Sequence, residues 1–274
     1  MTTATSSISS ENSSDADRTH GIRIEPIPAF RDNYIWLLER GGQAIVVDPG
    51  EAAPVRKLVD QRGLKLTAIV VTHHHADHVG GVTELVEAYD SHVIGPMNSP
   101  FEGIDLRLLE GDRVTLHEED FEVFEVPGHT LDHIAFWSEN LGVLFCGDTL
   151  FACGCGRMFE GTPKQFSSSL GKFAALPGHT RVYCAHEYTS SNIRFALAVE
   201  PDNADLNQRR DDCQALRDRG EPTVPSTIAL ELATNPFLRC SVPTVLEAAR
   251  ERGNATGSDP VSVFAALRSW KDGF

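Results

Sequence analysis

The sequence lacks the features that mark several classes of protein. Its six cysteines form no CxxC pair and no evenly spaced framework, so we expect reduced thiols and a cytoplasmic location. No stretch approaches the roughly 18 uninterrupted apolar residues of a membrane helix, so we expect no membrane association. Positive charge is also scarce, because 24 Lys and Arg stand against 39 Asp and Glu, for a net charge of −15. So acidic a chain repels phosphate backbones, and we expect no nucleic-acid partner.

The first twenty residues lack both kinds of targeting signal. Ten of them are Ser or Thr, and they contain no basic start followed by an apolar stretch, as a secretory signal would. A mitochondrial presequence would be rich in Arg and poor in acids, whereas here three acidic residues outnumber one Arg. We therefore predict that residues 1–20 form a disordered tail.

The rest of this 274-residue protein is predicted to form an α/β domain followed by a helical domain. From residue 22, short strands rich in β-branched and aromatic residues alternate with amphipathic helical stretches, which predicts sheets covered by helices. The strand pattern fades near residue 187, and helical spacing follows. The last helix is predicted to begin at Asp259-Pro260, an N-cap followed by proline at the first helical position. We place the domains at residues 21–186 and 187–274.

The segment THHHADH, residues 72–78, carries the strongest chemical signal. It follows the apolar strand LTAIVV, and in an extended segment residues two apart point the same way. His73 and His75 can therefore face one point, while Asp77 and His78 fall where the chain turns into a helix and can face a second. Imidazole and carboxylate ligands suit zinc, iron or manganese better than calcium. The alternative is a solvated histidine turn.

Three further candidates each end an apolar strand: His129, Asp148 and His186. Strand ends are where α/β proteins place functional loops. Each residue alone could be a capping or turn residue. Four strand ends that all deliver His or Asp predict a metal centre with two ions.

These motifs resemble the metallo-β-lactamase superfamily, whose T-H-x-H-x-D-H signature is similar to THHHADH. The resemblance implies an αββα sandwich with a smaller all-helical C-terminal domain, and it runs from residue 27 to the C-terminus. It also implies a ligand set for two ions. One ion would be bound by His73, His75 and His129, the other by Asp77, His78 and His186, and Asp148 would bridge both.

Other segments resemble one family within it, glyoxalase II, the hydroxyacylglutathione hydrolases. They are GCGRMFEGT (154–162), HEYT (186–189), EPTVPST (221–227), ELATNPFLR (231–239) and a terminal R-x-x-K. By this resemblance, glutathione would be held by Arg157, Phe159, Tyr188, Arg268 and Lys271. The family commonly has tyrosine at the position of Phe159, so we expect stacking there without a hydroxyl hydrogen bond.

The resemblance implies hydrolysis of S-(2-hydroxyacyl)glutathione, usually S-D-lactoylglutathione, to glutathione and D-lactate, the second step of methylglyoxal detoxification. Two divalent ions, zinc first and iron or manganese as alternatives, would activate the attacking water. Asp77 and Asp148 would orient it and accept its proton. We expect a monomer that takes a small-molecule glutathione thioester.

Other interpretations stay open at this point. A glutathione persulfide dioxygenase with a mononuclear iron shares the first motif and a GCGR-like turn, and a non-catalytic metal-binding module could carry the ligands. Without the family pattern, Arg268 and Lys271 would be taken as solvated surface cations. Cys153 and Cys155 resemble a metal clip, although buried or turn thiols fit them better. Asp48 is expected to brace the histidine loop by hydrogen bonds.

Overall fold

A computed structural model describes residues 21–274 and the backbone of Arg18–Thr19. The predicted disordered tail lies outside the described residues, apart from that short strand. The strands are β1 (Arg18–Thr19), β2 (Ile22–Ala29), β3 (Asn33–Arg40), β4 (Gln43–Val47), β5 (Lys65–Val70), β6 (His92–Pro96), β7 (Leu106–Leu108), β8 (Arg113–Leu116), β9 (Glu119–Glu125), β10 (Ile134–Ser138), β11 (Val143–Gly147), β12 (Leu150–Phe151), β13 (Gly154–Cys155), β14 (Arg181–Cys184) and β15 (Ser226–Thr227).

The helices divide between the two parts of the chain. They are α1 (Ala52–Arg62), α2 (Ala76–Val79), α3 (Val82–Tyr89), α4 (Pro163–Ala174), α5 (Thr189–Val199), α6 (Ala204–Asp218), α7 (Ile228–Thr234), α8 (Pro243–Glu251) and α9 (Pro260–Asp272), with a 3₁₀ turn at Pro236–Leu238. No described helix has both the length and the apolar character needed to cross a membrane.

Two sheets face each other. The first has the order β1-β2-β3-β4-β5-β6-β7, and the second β15-β14-β11-β10-β9-β8. Alternate residues of β3 point to opposite faces, as the pleat requires. Trp36 and Leu38 enter the core shared with the second sheet, whereas Ile35 and Leu37 pack in the core that contains residues of α1 and α3. The predicted αββα sandwich is confirmed.

The C-terminal segment is helical and packs against the sandwich. Asp259 caps α9 as predicted, since its carboxylate accepts hydrogen bonds from the backbone N–H groups of Val261 and Ser262. The segment also supplies β15, which pairs antiparallel with β14 at the edge of the second sheet. Phe264 of α9 lies against Phe166 of α4, with ring centroids 5.5 Å apart. The helical segment and the sandwich therefore share one apolar core.

Candidate metal centre

The histidine loop begins where β5 ends and is held by Asp48. The Asp48 carboxylate accepts hydrogen bonds from the Thr72 N–H and hydroxyl, both at 2.7 Å. Its other close neighbour is His78, whose Nδ1 lies 3.0 Å from Asp48 Oδ2. The sequence-based expectation that Asp48 braces this loop is confirmed. The loop thus enters the site from a buried, hydrogen-bonded strand end.

Three imidazoles converge on the first point. His75 Nδ1 lies 3.1 Å from His73 Nε2 and 2.9 Å from His129 Nε2. In a tetrahedral zinc site with bonds of 2.0–2.1 Å, ligand nitrogens are separated by roughly 3.3 Å. The three nitrogens therefore stand at nearly the spacing that one metal ion imposes. The predicted first ligand group is brought together.

The second group is formed by Asp77, His78 and His186. Asp77 Oδ2 lies 3.4 Å from His186 Nε2 and 3.7 Å from His78 Nε2. The ligand atoms of each group all lie within 4.8 Å of one another. Two imidazoles and one carboxylate form a donor set that divalent transition metals accept.

Asp148 lies between the two groups. Its Oδ2 is 3.5 Å from His129 Nε2 in the first group and 3.4 Å from His186 Nε2 in the second. Its Oδ1 is 3.4 Å from His78 Nε2. The preceding residue, Gly147, has a φ of +47°, which favours glycine. A Cβ at this position would also collide with the side chains of Thr72 and His133. A carboxylate in this place can contact ions in both groups.

Burial and charge set the protonation of these ligands. Burial and the neighbouring His78 hold the pKa of His73 well below its usual range, so its imidazole is neutral and can offer a lone pair. Burial would raise the pKa of Asp148, but His78 and His186 outweigh it and hold that pKa well below its usual range. His73 as a neutral imidazole and Asp148 as a carboxylate can therefore each offer an electron pair to a metal ion.

Two buried atoms at the centre of the site lack a hydrogen-bond partner among the described residues: His78 Nε2 and Asp148 Oδ1. Buried polar atoms are nearly always satisfied. Burial opposes a charge on His186, yet the carboxylates of Asp148 and Asp77 raise its pKa to about 11. Where carboxylates hold a proton this strongly, a divalent cation can replace it. The residues present therefore fit metal binding.

Outer contacts orient the ligands. His129 Nδ1 donates to the Arg157 carbonyl at 2.7 Å, which leaves Nε2 as the free lone pair. His186 Nδ1 lies 3.0 Å from Asp32 Oδ1, and Asn33 Nδ2 donates to Asp77 Oδ2 at 3.1 Å. Sequence reasoning missed Asp32. Its only local signal is its place in the short turn that joins β2 to β3.

A pocket of about 420 Å³ opens over the two groups. Phe159 forms part of its wall and lies over the first group, with ring centroids 5.3 Å from His129. Tyr188 stacks on His186 with centroids 4.7 Å apart and planes 6° apart. Arg157 also lines the pocket. Three of the five predicted glutathione-binding residues thus surround the metal ligands.

The other two predicted substrate residues line an adjoining groove of about 290 Å³. Arg268 is no solvated cation: its side chain is 6% exposed, and it donates to the carbonyls of Cys155 and Gly156. Lys271 Nζ donates to Asn192 Oδ1 at 2.6 Å. Arg157 lines both cavities and so connects the groove to the metal centre.

Cys153 and Cys155 do not form a metal clip. Both are buried, and burial raises the pKa of the Cys153 thiol to about 12. Cys155 Sγ lies 3.6 Å from Arg268 Nη1. Within residues 21–274, no cysteine belongs to a group that could hold a metal ion. The thiols belong to the core.

Family models match nearly the whole described chain. Residues 29–186 match the metallo-beta-lactamase superfamily, and residues 187–274 match the hydroxyacylglutathione hydrolase C-terminus. A hydroxyacylglutathione hydrolase of Pseudomonas fluorescens is 54% identical, with 92% of this chain and all of that protein covered. A hydroxyacylglutathione hydrolase of Cupriavidus metallidurans is also 54% identical, and the match covers 92% of this chain and 99% of that protein.

Solved structures share the sandwich. ETHE1 from Myxococcus xanthus superposes with a TM-score of 0.60 at 26% identity, covering 79% of this chain and 84% of its own. TTHA1623, solved in a di-iron-bound form, superposes with a TM-score of 0.57 at 28% identity, covering 78% of this chain and all of its own. Both similarities leave about a fifth of this chain unmatched.

Proposed function

Because the chain belongs to the hydroxyacylglutathione hydrolase family of the metallo-β-lactamase superfamily, we propose that it hydrolyses S-(2-hydroxyacyl)glutathione thioesters. S-D-lactoylglutathione would give glutathione and D-lactate, the second step of methylglyoxal detoxification. The observation that carries the proposal is the connection, through Arg157, between a His/Asp metal centre and a groove lined with cations. Glutathione carries two carboxylates, which such a groove can bind.

We propose that two divalent ions occupy the centre. His73, His75 and His129 would hold one, Asp77, His78 and His186 the other, and Asp148 would bridge them. Zinc is the first expectation, and the same donors accept iron or manganese. When bound, such ions lower the pKa of water and polarise the thioester carbonyl.

The chain's own residues would then orient the reactants. Asp77 and Asp148 are held ionised, since their pKa values lie well below the usual range, so each can accept a hydrogen bond from the attacking water. Phe159 and Tyr188 would flank the acyl-sulfur part of the substrate. Thiolate is a good leaving group, so no strong general acid is required.

The groove would hold the glutathione part. Arg157 is 57% exposed and can swing to a substrate carboxylate, whereas Arg268 is fixed by its backbone contacts. We propose residues 21–186 as the catalytic domain and 187–274 as the substrate-binding domain. All six cysteines are free, which supports a cytoplasmic location, and we propose a monomer.

The direct test is hydrolysis of S-D-lactoylglutathione, followed by thiol release, with metal quantified in the same preparation. We expect turnover, and loss of turnover after chelation with recovery on adding zinc. Oxygen uptake with glutathione persulfide is the second assay. Oxygen uptake without thioester hydrolysis would overturn the proposal in favour of a persulfide dioxygenase.

The groove also predicts a pH dependence. Burial and the nearby Arg268 lower the pKa of Lys271 to about 8. Below that pH the amine is charged and can bind a carboxylate, and above it the charge is lost. We expect kcat/KM for S-D-lactoylglutathione to fall as the pH rises through about 8, because kcat/KM reports the free enzyme.

The matched control is Lys271→Arg, which keeps its charge at every pH tested. Its kcat/KM should stay level to higher pH, and metal content should equal that of the wild type. A small thioester without the tripeptide should show no such fall in either protein. If the wild type and Lys271→Arg give the same profile, Lys271 is not the titrating group.

A further inference from the structure

The groove of cations contains one carboxylate, Asp272, at the last residue of α9. Its Oδ1 accepts a hydrogen bond from Arg268 Nη2 at 3.0 Å and lies 3.4 Å from Arg157 Nε. The side chain is 37% exposed and lines the same groove as both arginines and Lys271. A single carboxylate thus contacts two of the guanidinium groups that the substrate would use.

The position is electrostatically unusual. A carboxylate in the last turn of a helix is disfavoured, because the C-terminal end of the helix dipole is negative. Here the two guanidinium groups offset that cost. The groove is small, and the cationic side chains that line it repel one another unless an anion lies among them. They are Arg157, Arg194, Arg268 and Lys271. Asp272 supplies that anion within the chain.

We propose that Asp272 takes the place of a substrate carboxylate in the free protein. It contacts Arg157 and Arg268 there, and these contacts must break when glutathione binds. This inference rests on the proposed function and names a residue that sets affinity rather than catalysis. The same contact stabilises the empty groove and weakens substrate binding.

The change in KM on removing the Asp272 charge distinguishes this proposal from an orienting role for Asp272, because the two predict opposite directions. If Asp272 competes with the substrate, removing its charge frees both guanidinium groups and lowers KM. If Asp272 instead holds Arg157 in its binding position, removing the charge raises KM. In either case kcat should change little, because Asp272 lies outside the pocket over the metal groups.

The experiment uses Asp272→Asn in the full chain, with Asp272→Ser as a second variant. Asp211→Asn is the matched control, since it removes an exposed carboxylate on α6 whose one ion pair among residues 21–274 is with its neighbour Arg210. KM and kcat are measured with S-D-lactoylglutathione, and the Kd of S-methylglutathione, which has no thioester to cleave, is measured by calorimetry. Metal content and melting temperature are recorded for each protein.

For both Asp272 variants we expect KM and Kd to fall about two- to fivefold, the range for a partly exposed charge pair, with kcat and metal content unchanged. S-methylglutathione should raise their melting temperature more than that of the wild type. An unchanged or increased Kd in the variants, with normal binding by the wild type, overturns this inference alone. A wild type that neither binds S-methylglutathione nor hydrolyses the thioester overturns the proposed function as well.

Discussion

Asp148→Ala should lose bound metal and nearly all thioester hydrolysis. Its carboxylate lies 3.5 Å or less from ligand atoms of both groups, so its removal weakens both proposed sites together. Losing an outer partner of a metal ligand already costs about 10- to 100-fold in affinity or activity. We therefore expect kcat/KM to fall more than about 100-fold, with substoichiometric metal measured by elemental analysis.

His74→Ala is the matched control for that variant. His74 belongs to the same loop, but its Nδ1 faces Asp132 Oδ1 at 2.8 Å and it belongs to none of the ligand groups among the described residues. Its metal content should match the wild type, and its turnover should change only modestly. Two bound metals and normal turnover in Asp148→Ala would falsify the bridging assignment.

The second large effect concerns stability and comes from a buried ion pair in the helical segment. Glu231 is fully buried and accepts a hydrogen bond from Arg209 Nη2 at 2.6 Å. It also accepts hydrogen bonds from the Cys153 backbone N–H and from Asn235 Nδ2, both at 2.9 Å. Glu231→Ala would leave the Arg209 charge buried without a counter-ion. We expect the free energy of unfolding to fall by about 3–5 kcal/mol.

Urea denaturation measures that loss as a lower midpoint at similar slope. The control is Glu247→Ala, an exposed acid on α8, which should change the free energy of unfolding by less than about 0.5 kcal/mol. The double variant Arg209→Met with Glu231→Leu should recover part of the stability, because it removes both charges. A loss below about 1 kcal/mol in Glu231→Ala would mean that water reaches Arg209.

Asn235, which donates to Glu231, also connects the helical segment to the loop that precedes Arg157. Asn235 Nδ2 also donates to the carbonyls of Phe151 and Gly154, at 3.2 and 2.9 Å. Those carbonyls flank the turn that leads to Arg157. The helical segment thus positions the loop that connects the metal pocket with the cationic groove, in addition to supplying Arg268 and Lys271.

Much of the fold could be predicted from local patterns. The apolar runs YIWLLE (34–39) and AIVV (44–47), each bounded by polar residues, predict two strands, and these correspond to β3 and β4 within one residue at each end. The strands β12 and β13 were not predicted. Each is only two residues long, too short for any hydrophobic period, and they exist because the chain pairs with itself there.

The sequence by itself determined the metal-ligand candidates of this protein. Each is a His or Asp in a segment that follows an apolar strand, so the type of residue and its place after a strand are both local information. Asp32 beside His186, Glu231 beside Arg209 and Asp272 beside Arg157 were decided only by the tertiary structure. The partners in these pairs are separated by 154, 22 and 115 residues. Whether a lone acid is a solvated surface group or a partner of a buried cation depends on what the fold packs beside it, and no local pattern carries that information.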